Sequence, residues 1–340
     1  MGPPLSRLMA LFLFAIVVVT WGLNWTVTKT IVDSVTPLWA TAIRSAIATV
    51  ILFGLLLARG QFVVPRRGDV PVVLVVTLFH MVAFAALVAF SLQFVPVGRS
   101  IVLGYTTPLW VAPGAWLLLG EPVTRPRLAG ICLGLAGLAV LFNPLDFDWN
   151  NDAALIGNGL VLLAALSWAV SILYVRAHRW ISTPFQLVFW QALLATAILS
   201  TLALSIDGVP RITWNSSLAG AFLYAGIFGT ALAYWAMAMV NRSLPATTTS
   251  LGILATPVVG MASSTIVLGE PLELPVIVAM AMIVSGIAIG IVSGRTSRAT
   301  PPSASSTNAS APARRRSSVP SPPPAGAWRP RAPRCRRSSR

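Results

Sequence analysis

Apolar residues run through this chain in ten stretches, at roughly 8–28, 37–58, 71–91, 97–119, 127–142, 154–175, 184–206, 216–239, 245–268 and 275–293. A helix rises ~1.5 Å per residue, so about 20 residues cross a hydrocarbon core of ~30 Å. The fifth stretch is short by that measure. In lipid a backbone must satisfy its own polar groups, so the stretches predict helices and not loops. Turn formers and charges separate them, at 59–68, 121–126, 143–152, 176–184, 207–214 and 269–275. Pro37, Pro71, Pro126, Pro184 and Pro275 fall in predicted first turns, where a missing N–H costs nothing.

Composition agrees with a membrane protein. Of 340 residues, 56% are hydrophobic and only 10% are charged, too few charges to clothe a water-soluble domain of this size. The run 8–28 is long for a signal peptide and lacks a clean cleavage site, so it reads as a first span. Two cysteines, Cys132 in an apolar stretch and Cys335 near the end, argue against a disulfide framework or a thiolate metal site. The net charge of +15 is concentrated in a tail: 11 of the 24 basic residues lie at 295–340, among Pro, Ser and Ala. That segment cannot bury enough apolar surface to fold, so it reads as a disordered cytoplasmic extension. A contact with anionic lipid or a partner is its functional alternative. Nothing in the ten-stretch region suggests nucleic acid.

Basic residues also set the expected orientation. With the N-terminus inside, Arg7, Arg59, Arg66, Arg67, Arg125, Arg127, Arg176, Arg179, Arg242 and the tail are cytoplasmic, while Arg99 and Arg211 are outside with most of the acids. Both termini are then cytoplasmic and the protein sits in the cell (inner) membrane.

The chain also repeats itself. Pro108 precedes Leu119-Gly120-Glu121-Pro122, and Pro257 precedes Leu268-Gly269-Glu270-Pro271; the Pro-to-Glu separation is 13 residues in both, at an offset of 149. Thr20-Trp21 with Lys29 pairs with Ser167-Trp168 and Arg176, and Pro37 with Pro184, at an offset of 147. The fold class expected is all-α integral membrane, ten transmembrane helices in two five-helix repeats at 8–142 and 154–293. Five is odd, so the second copy enters the membrane inverted, a recurring device of secondary transporters.

These residues resemble the ten-span EamA-type branch of the drug/metabolite transporter superfamily. The resemblance rests on Trp21-Gly22-Leu23-Asn24-Trp25 with Lys29, on Pro37-Leu38-Trp39 with Arg44, on Thr107-Pro108 with Gly120-Glu121, and on Thr256-Pro257 with Gly269-Glu270. It covers residues 8 to about 293. It implies a permease for small metabolites, amino acids or drugs, often outward, with a cavity between the halves. The second half departs from the pattern at Gln191, the counterpart of Arg44.

Candidate site residues follow. Arg44 lies inside the second stretch, where a charge is costly and points to function, here contact with an anionic solute group; bonding to carbonyls is the structural alternative. Lys29, the sole lysine, either faces the cavity with it or snorkels to the interface. His80 is a membrane-embedded titratable group that either relays protons or packs. Pro108 and Pro257 interrupt their helices near mid-depth and free carbonyls, beside the hydroxyls of Tyr105, Thr106 and Thr107 and those of 247–250. Trp21, Asn24, Gln93, Trp168, Gln191, Tyr234 and Trp235 complete the cavity candidates. Glu121 and Glu270 read as structural caps for the next helix N-terminus. Gly130, Gly134 and Gly137, with Gly286, Gly290 and Gly294, are spaced for close helix approach.

No mid-stretch Asp or Glu supplies a proton site, and no Gly-rich Lys motif binds ATP. No nucleophile–base pair or metal cluster argues for an enzyme, and no cofactor is implied. The expectation is a secondary transporter, an exporter, of a small organic solute. Import, a non-transporting sensor or assembly role, proton or counter-solute coupling, and a homodimer all stay open.

Overall fold

The computed structural model describes residues 5–120, 124–142, 151–244, 249 and 252–296, and among them every regular element is a helix. Helix α1 (Arg7–Val32) begins at Ser6, whose hydroxyl accepts the Met9 N–H, and α2 (Pro37–Ala58) follows. Helix α3 (Val70–Ser91) is π-helical through its middle, at Val76–Phe84. The fourth apolar stretch is two helices, α4 (Val97–Gly104) and α5 (Thr107–Leu119), with the break at Tyr105 and Thr106. Then come α6 (Arg125–Phe142), α7 (Asp152–Ala177) and α8 (Pro184–Ile206). Helix α9 starts as Ser216–Leu223, passes through a second π-helical stretch at Tyr224–Leu232 and ends as Ala233–Ser243. A 3-10 turn, Ile253–Ala255, leads into α10 (Thr256–Leu268), and α11 (Leu274–Thr296) is last.

Among the described residues, seven segments are long and apolar enough to cross a membrane: α1, α2, α3, the α4–α5 pair, α7, α8 and the greater part of α9. Three further apolar helices, at 128–141, 253–268 and 274–289, are shorter. Glu121, residues 247, 248 and 250, and the tail from 297 on lie outside the described residues.

The caps explain where helices start and stop. Thr183 and Gln186 form a reciprocal capping box at the start of α8, satisfying two N–H groups that the helix leaves open. Asn151 and Asn215 accept from Ala154 and Leu218 at the starts of α7 and α9. Pro108 and Pro257 stand in the first turns of α5 and α10; Pro108 opens the second helix of a broken span, and Pro257 follows the 3-10 turn. Both of those helices end on a left-handed glycine, Gly120 (φ +65°) and Gly269 (φ +69°), a conformation that a Cβ disfavours.

The order of elements recurs. The π-helical stretches begin at Val76 and Tyr224, an offset of 148, and the 13-residue helices α5 and α10 begin at Thr107 and Thr256, an offset of 149. Packing follows the same pairing. Helices α6 and α11 lie against each other so closely that a Cβ on Gly286 would meet the Gly130 carbonyl, and one on Gly137 would sit 3.0 Å from the Ala279 carbonyl. Helices α2 and α8 touch at Thr49 and Thr196. Elsewhere the halves interleave: α1 packs on α9 and α10, and α3 packs on α7.

Polar ties lock the helix ends. The Glu270 carboxylate accepts the N–H groups of Val97 (2.7 Å) and Gly98 (3.0 Å), so it caps α4; the sequence reading had assigned it to the next helix along the chain. Arg99 lies in the first turn of α4, not in a loop, and its Nε donates to the buried Asn158 Oδ1. At the start of α3, the buried Asp69 carboxylate accepts from the Ser182 N–H (2.9 Å) and the Ile181 N–H (3.2 Å) and bonds His178 Nε2 (3.1 Å). Burial opposes its charge, but the His178, Ile181 and Ser182 bonds outweigh that and hold its pKa below the ordinary carboxylate value.

Candidate functional site

A cavity of about 150 Å³ opens between α1, α2, α3, α7 and α9. Each helix gives it one face. Trp21, Asn24, Trp25 and Thr28 recur on α1 at helical spacing, and His80, Met81, Phe84, Ala85 and Val88 recur on α3; residues three and four apart share a side of a helix. Helix α2 adds Arg44 and Ser45, α7 adds Trp168, and α9 adds Gly229, Thr230 and Tyr234. Tyr105, at the α4–α5 break, and Ala192 on α8 complete the wall. Trp21 and Trp168, paired by the 147-residue offset, both line it.

The π-helical stretches shape two of these faces. A π turn rotates the side chains after it relative to an α-helix and is frequent at functional sites. In α9 the Thr230 hydroxyl donates to the Ala225 carbonyl, five residues back, at 2.8 Å, a bond that suits the wider register. Gly229 gives the Asn24 side chain room, since a Cβ there would run into Asn24 Oδ1. That buried oxygen has no hydrogen-bond partner among the described residues.

Aromatic rings dominate the interior. The His80 ring is stacked on Trp168, with centroids 5.4 Å apart and planes 12° from parallel. Tyr234 meets His80 edge-on, its hydroxyl 3.5 Å from Nε2, and also meets Trp21 edge-on at 6.1 Å. Phe84 bridges Trp168 and Trp25. Among the described residues, Arg44 is the one lining residue with a fixed charge, and no Asp or Glu lines the cavity. No ion pair to Arg44 is formed among the described residues. A guanidinium in a low-dielectric interior with no carboxylate partner attracts an anion.

The remaining candidates sit elsewhere. Lys29 pairs with Asp33 one turn on, at 2.6 Å, and is not a lining residue. Gln93 is exposed in the turn after α3. Gln191 is buried, and its carbonyl accepts from Thr77 on α3. Trp235 packs beside the cavity residue Tyr234 but carries the Arg59 guanidinium over its ring, 4.7 Å from the centroid. Pro108 and Pro257 shape helix starts and do not line the cavity. Glu121 lies outside the described residues. Trp25, Thr28, Ser45, Phe84 and Thr230 line the cavity and are not among the cavity candidates that the sequence offers. Three of them stand four residues after such a candidate: Trp25 after Trp21, Thr28 after Asn24 and Phe84 after His80.

Comparison with known proteins bears on the whole bundle. The pattern of the EamA-like transporter family matches residues 8–143 and again 155–292. The uncharacterized transporter YoaV of Bacillus subtilis (strain 168) is 23% identical over 273 residues, which cover 80% of this chain and 92% of the relative. A protein of Salmonella typhimurium named a probable amino-acid metabolite efflux pump is 29% identical over 302 residues, covering 84% of this chain and 96% of the relative. The uncharacterized inner membrane transporter YedA of Escherichia coli (strain K12) is 29% identical over 273 residues, 78% of this chain and 86% of the relative. One solved crystal structure superposes with a TM-score of 0.60 at 21% sequence identity, over 85% of this chain and 99% of that one; at that identity the likeness speaks for the fold alone.

Proposed function

This chain belongs to the EamA-like transporter family, and we propose that it is a secondary transporter that exports a compact organic solute through the Arg44 cavity. The observation that carries the reading is Arg44 itself, the lone fixed charge among the described residues of an aromatic-lined cavity, with no acid among them. A solute that suits this wall has an anionic group for the guanidinium and an apolar or planar body for the Trp21, Trp25, Phe84 and Trp168 faces. Arg is suited to bidentate recognition of a carboxylate or phosphate, and large rings bury area at small entropic cost.

The mechanism follows from the repeat. On this reading the three shorter apolar helices also cross the membrane and join the seven long segments as ten spans, five to each half. An odd number inverts the second copy, and two inverted copies can exchange outward-open and inward-open roles about a site near mid-depth. Basic loops put both termini on the cytoplasmic side, in the inner membrane. Export is favoured by the name of the Salmonella relative.

The test is a panel of amino acids, other organic acids and cationic drugs supplied to cells that overproduce the protein, with efflux measured for each. Faster efflux of acid-bearing solutes supports the proposal. No change for any solute contradicts transport, and faster uptake contradicts export.

A further inference from the structure

A second concavity lies apart from the Arg44 cavity. It is a groove of about 280 Å³ between α3 and α8, lined by apolar side chains that include Pro65, Val70, Leu74, Trp190, Leu193 and Ala197. One end is the loop before α3, where the Trp190 indole N–H donates to the Val63 carbonyl at 2.7 Å. The other end, at Ala197, is thirteen residues into α8, roughly 20 Å along the helix at ~1.5 Å per residue. The groove therefore runs from a membrane surface into the hydrocarbon.

Its mouth is basic. Arg66 and Arg67 follow Pro65 directly and are both exposed. The Arg66 carbonyl accepts the N–H groups of Asp69 and Val70, which fixes this stretch beside the groove wall at Val70. Asp69, the one acid of the loop, is committed to His178, Ile181 and Ser182. It thereby ties in the neighbouring loop that carries exposed Arg179. Phe62, Val63 and Val64, also exposed, give the loop an apolar side toward lipid.

An apolar slot that ends beside a loop carrying two exposed cations is complementary to an amphiphile with an acyl chain and an anionic head. We propose that this groove is a binding site for an anionic phospholipid, one acyl chain lying between α3 and α8 and its phosphate meeting Arg66 and Arg67. The site rests on the chain being embedded in a membrane and is independent of what the Arg44 cavity transports.

The test puts the full-length protein into phosphatidylcholine vesicles containing a rising fraction of acyl-brominated phosphatidylglycerol or acyl-brominated phosphatidylcholine. Bromine quenches indoles in contact with it, so the Trp190 signal is the difference between wild type and Trp190→Phe, with Trp190→Tyr as a second reference. The expected result is half-quenching of Trp190 at about ten- to thirtyfold less phosphatidylglycerol than phosphatidylcholine, the scale of two basic side chains near a membrane surface. Arg66→Gln with Arg67→Gln should bring the two lipids level, and Arg66→Lys with Arg67→Lys should keep the preference. Ala197→Phe or Leu193→Phe, whichever folds, should weaken quenching by both lipids by filling the slot. Equal quenching by the two lipids in wild type, or a preference that survives the double Gln variant, would overturn the headgroup contact. Undiminished quenching in a folded groove-filling variant would overturn the acyl site. No Trp190 quenching by either lipid would also overturn it, in favour of a second copy of the chain covering the groove.

Discussion

Thr49 Oγ1 and Thr196 Oγ1 lie 3.2 Å apart, and these residues are counterparts in the two halves, 147 positions from one another. One turn away the Ser45 hydroxyl donates to the carbonyl of Ala192, its own counterpart. Residues that meet their own equivalents mark a two-fold axis, as in an isologous interface between identical subunits. Here the equivalents meet within a single chain, where α2 packs on α8. Each hydroxyl has one proton and a second acceptor in its own helix, the Ser45 carbonyl for Thr49 and the Ala192 carbonyl for Thr196, so one threonine donates across the contact while the other donates within its helix. A double-mutant cycle of Thr49→Val and Thr196→Val, read by thermal unfolding in detergent, should return a coupling of about 0.5–1.5 kcal/mol. Strict additivity would mean that the two hydroxyls do not share their bond.

The α6–α11 contact obeys the same pairing. Gly286 against the Gly130 carbonyl is mirrored by Gly137 against the Ala279 carbonyl, and each contact is the other shifted by 149 residues. Because the obstacle is backbone, a methyl group at Gly286 forces the helices apart. Gly286→Ala should cost about 1–3 kcal/mol in thermal unfolding. Gly54→Ala is the control, since nothing lies within 4 Å of a Cβ there; at an open helical site the change should be neutral or stabilise by up to ~1 kcal/mol.

Asp69 joins the loop before α3 to the loop before α8 through three bonds. Its pKa is held below the ordinary carboxylate value, near 3.9 in an unfolded chain. A depressed carboxylate stabilises the fold fully above the unfolded value, and the contribution is lost as pH falls through the folded value. The titration of Asp69 itself should therefore leave its contribution in place above about pH 5 and remove it only below about pH 4. Asp69→Ala leaves the Ile181 and Ser182 N–H groups open and should cost at least about 1–3 kcal/mol at pH 7. The gap between wild type and variant, followed by unfolding midpoints, should narrow only at acid pH. A gap that narrows between pH 8 and 6 would contradict this assignment.

Much of this arrangement could be read before the structure was known, because lipid leaves a chain few choices. Apolar length placed most of the helices within a few residues, and turn residues placed the breaks between them. The repeat was legible because Pro108/Pro257 and Gly120/Gly269 are backbone devices, one starting a helix and one ending it, that no other residue replaces easily. The cavity was legible only in part. Trp21, Asn24, Arg44, His80, Trp168 and Tyr234 stood out as polar or aromatic residues in apolar surroundings. Lys29 and Gln93 stood out for the same reason, but they lie near helix ends, where side chains reach water or a local partner such as Asp33. Composition gives depth only roughly and gives the face of a helix only through spacing. The π-helical stretches had no signature at all, since Val76–Phe84 and Tyr224–Leu232 read as ordinary apolar helix until neighbouring helices are packed against them.

The most direct measurement is solute flux in proteoliposomes made with wild type, Arg44→Ala and Lys29→Ala, using the acid-bearing solute that cells export fastest and an uncharged analogue. A charge-assisted bond is worth about 1.5–3 kcal/mol, roughly ten- to a hundredfold in affinity. Arg44→Ala should therefore reduce flux of the acid at sub-saturating concentration by at least about tenfold, with little change for the analogue. Lys29, paired with Asp33 outside the cavity lining, should be dispensable. Flux of the acid that is unchanged in Arg44→Ala, or lost equally in Lys29→Ala, would contradict transport through the Arg44 cavity.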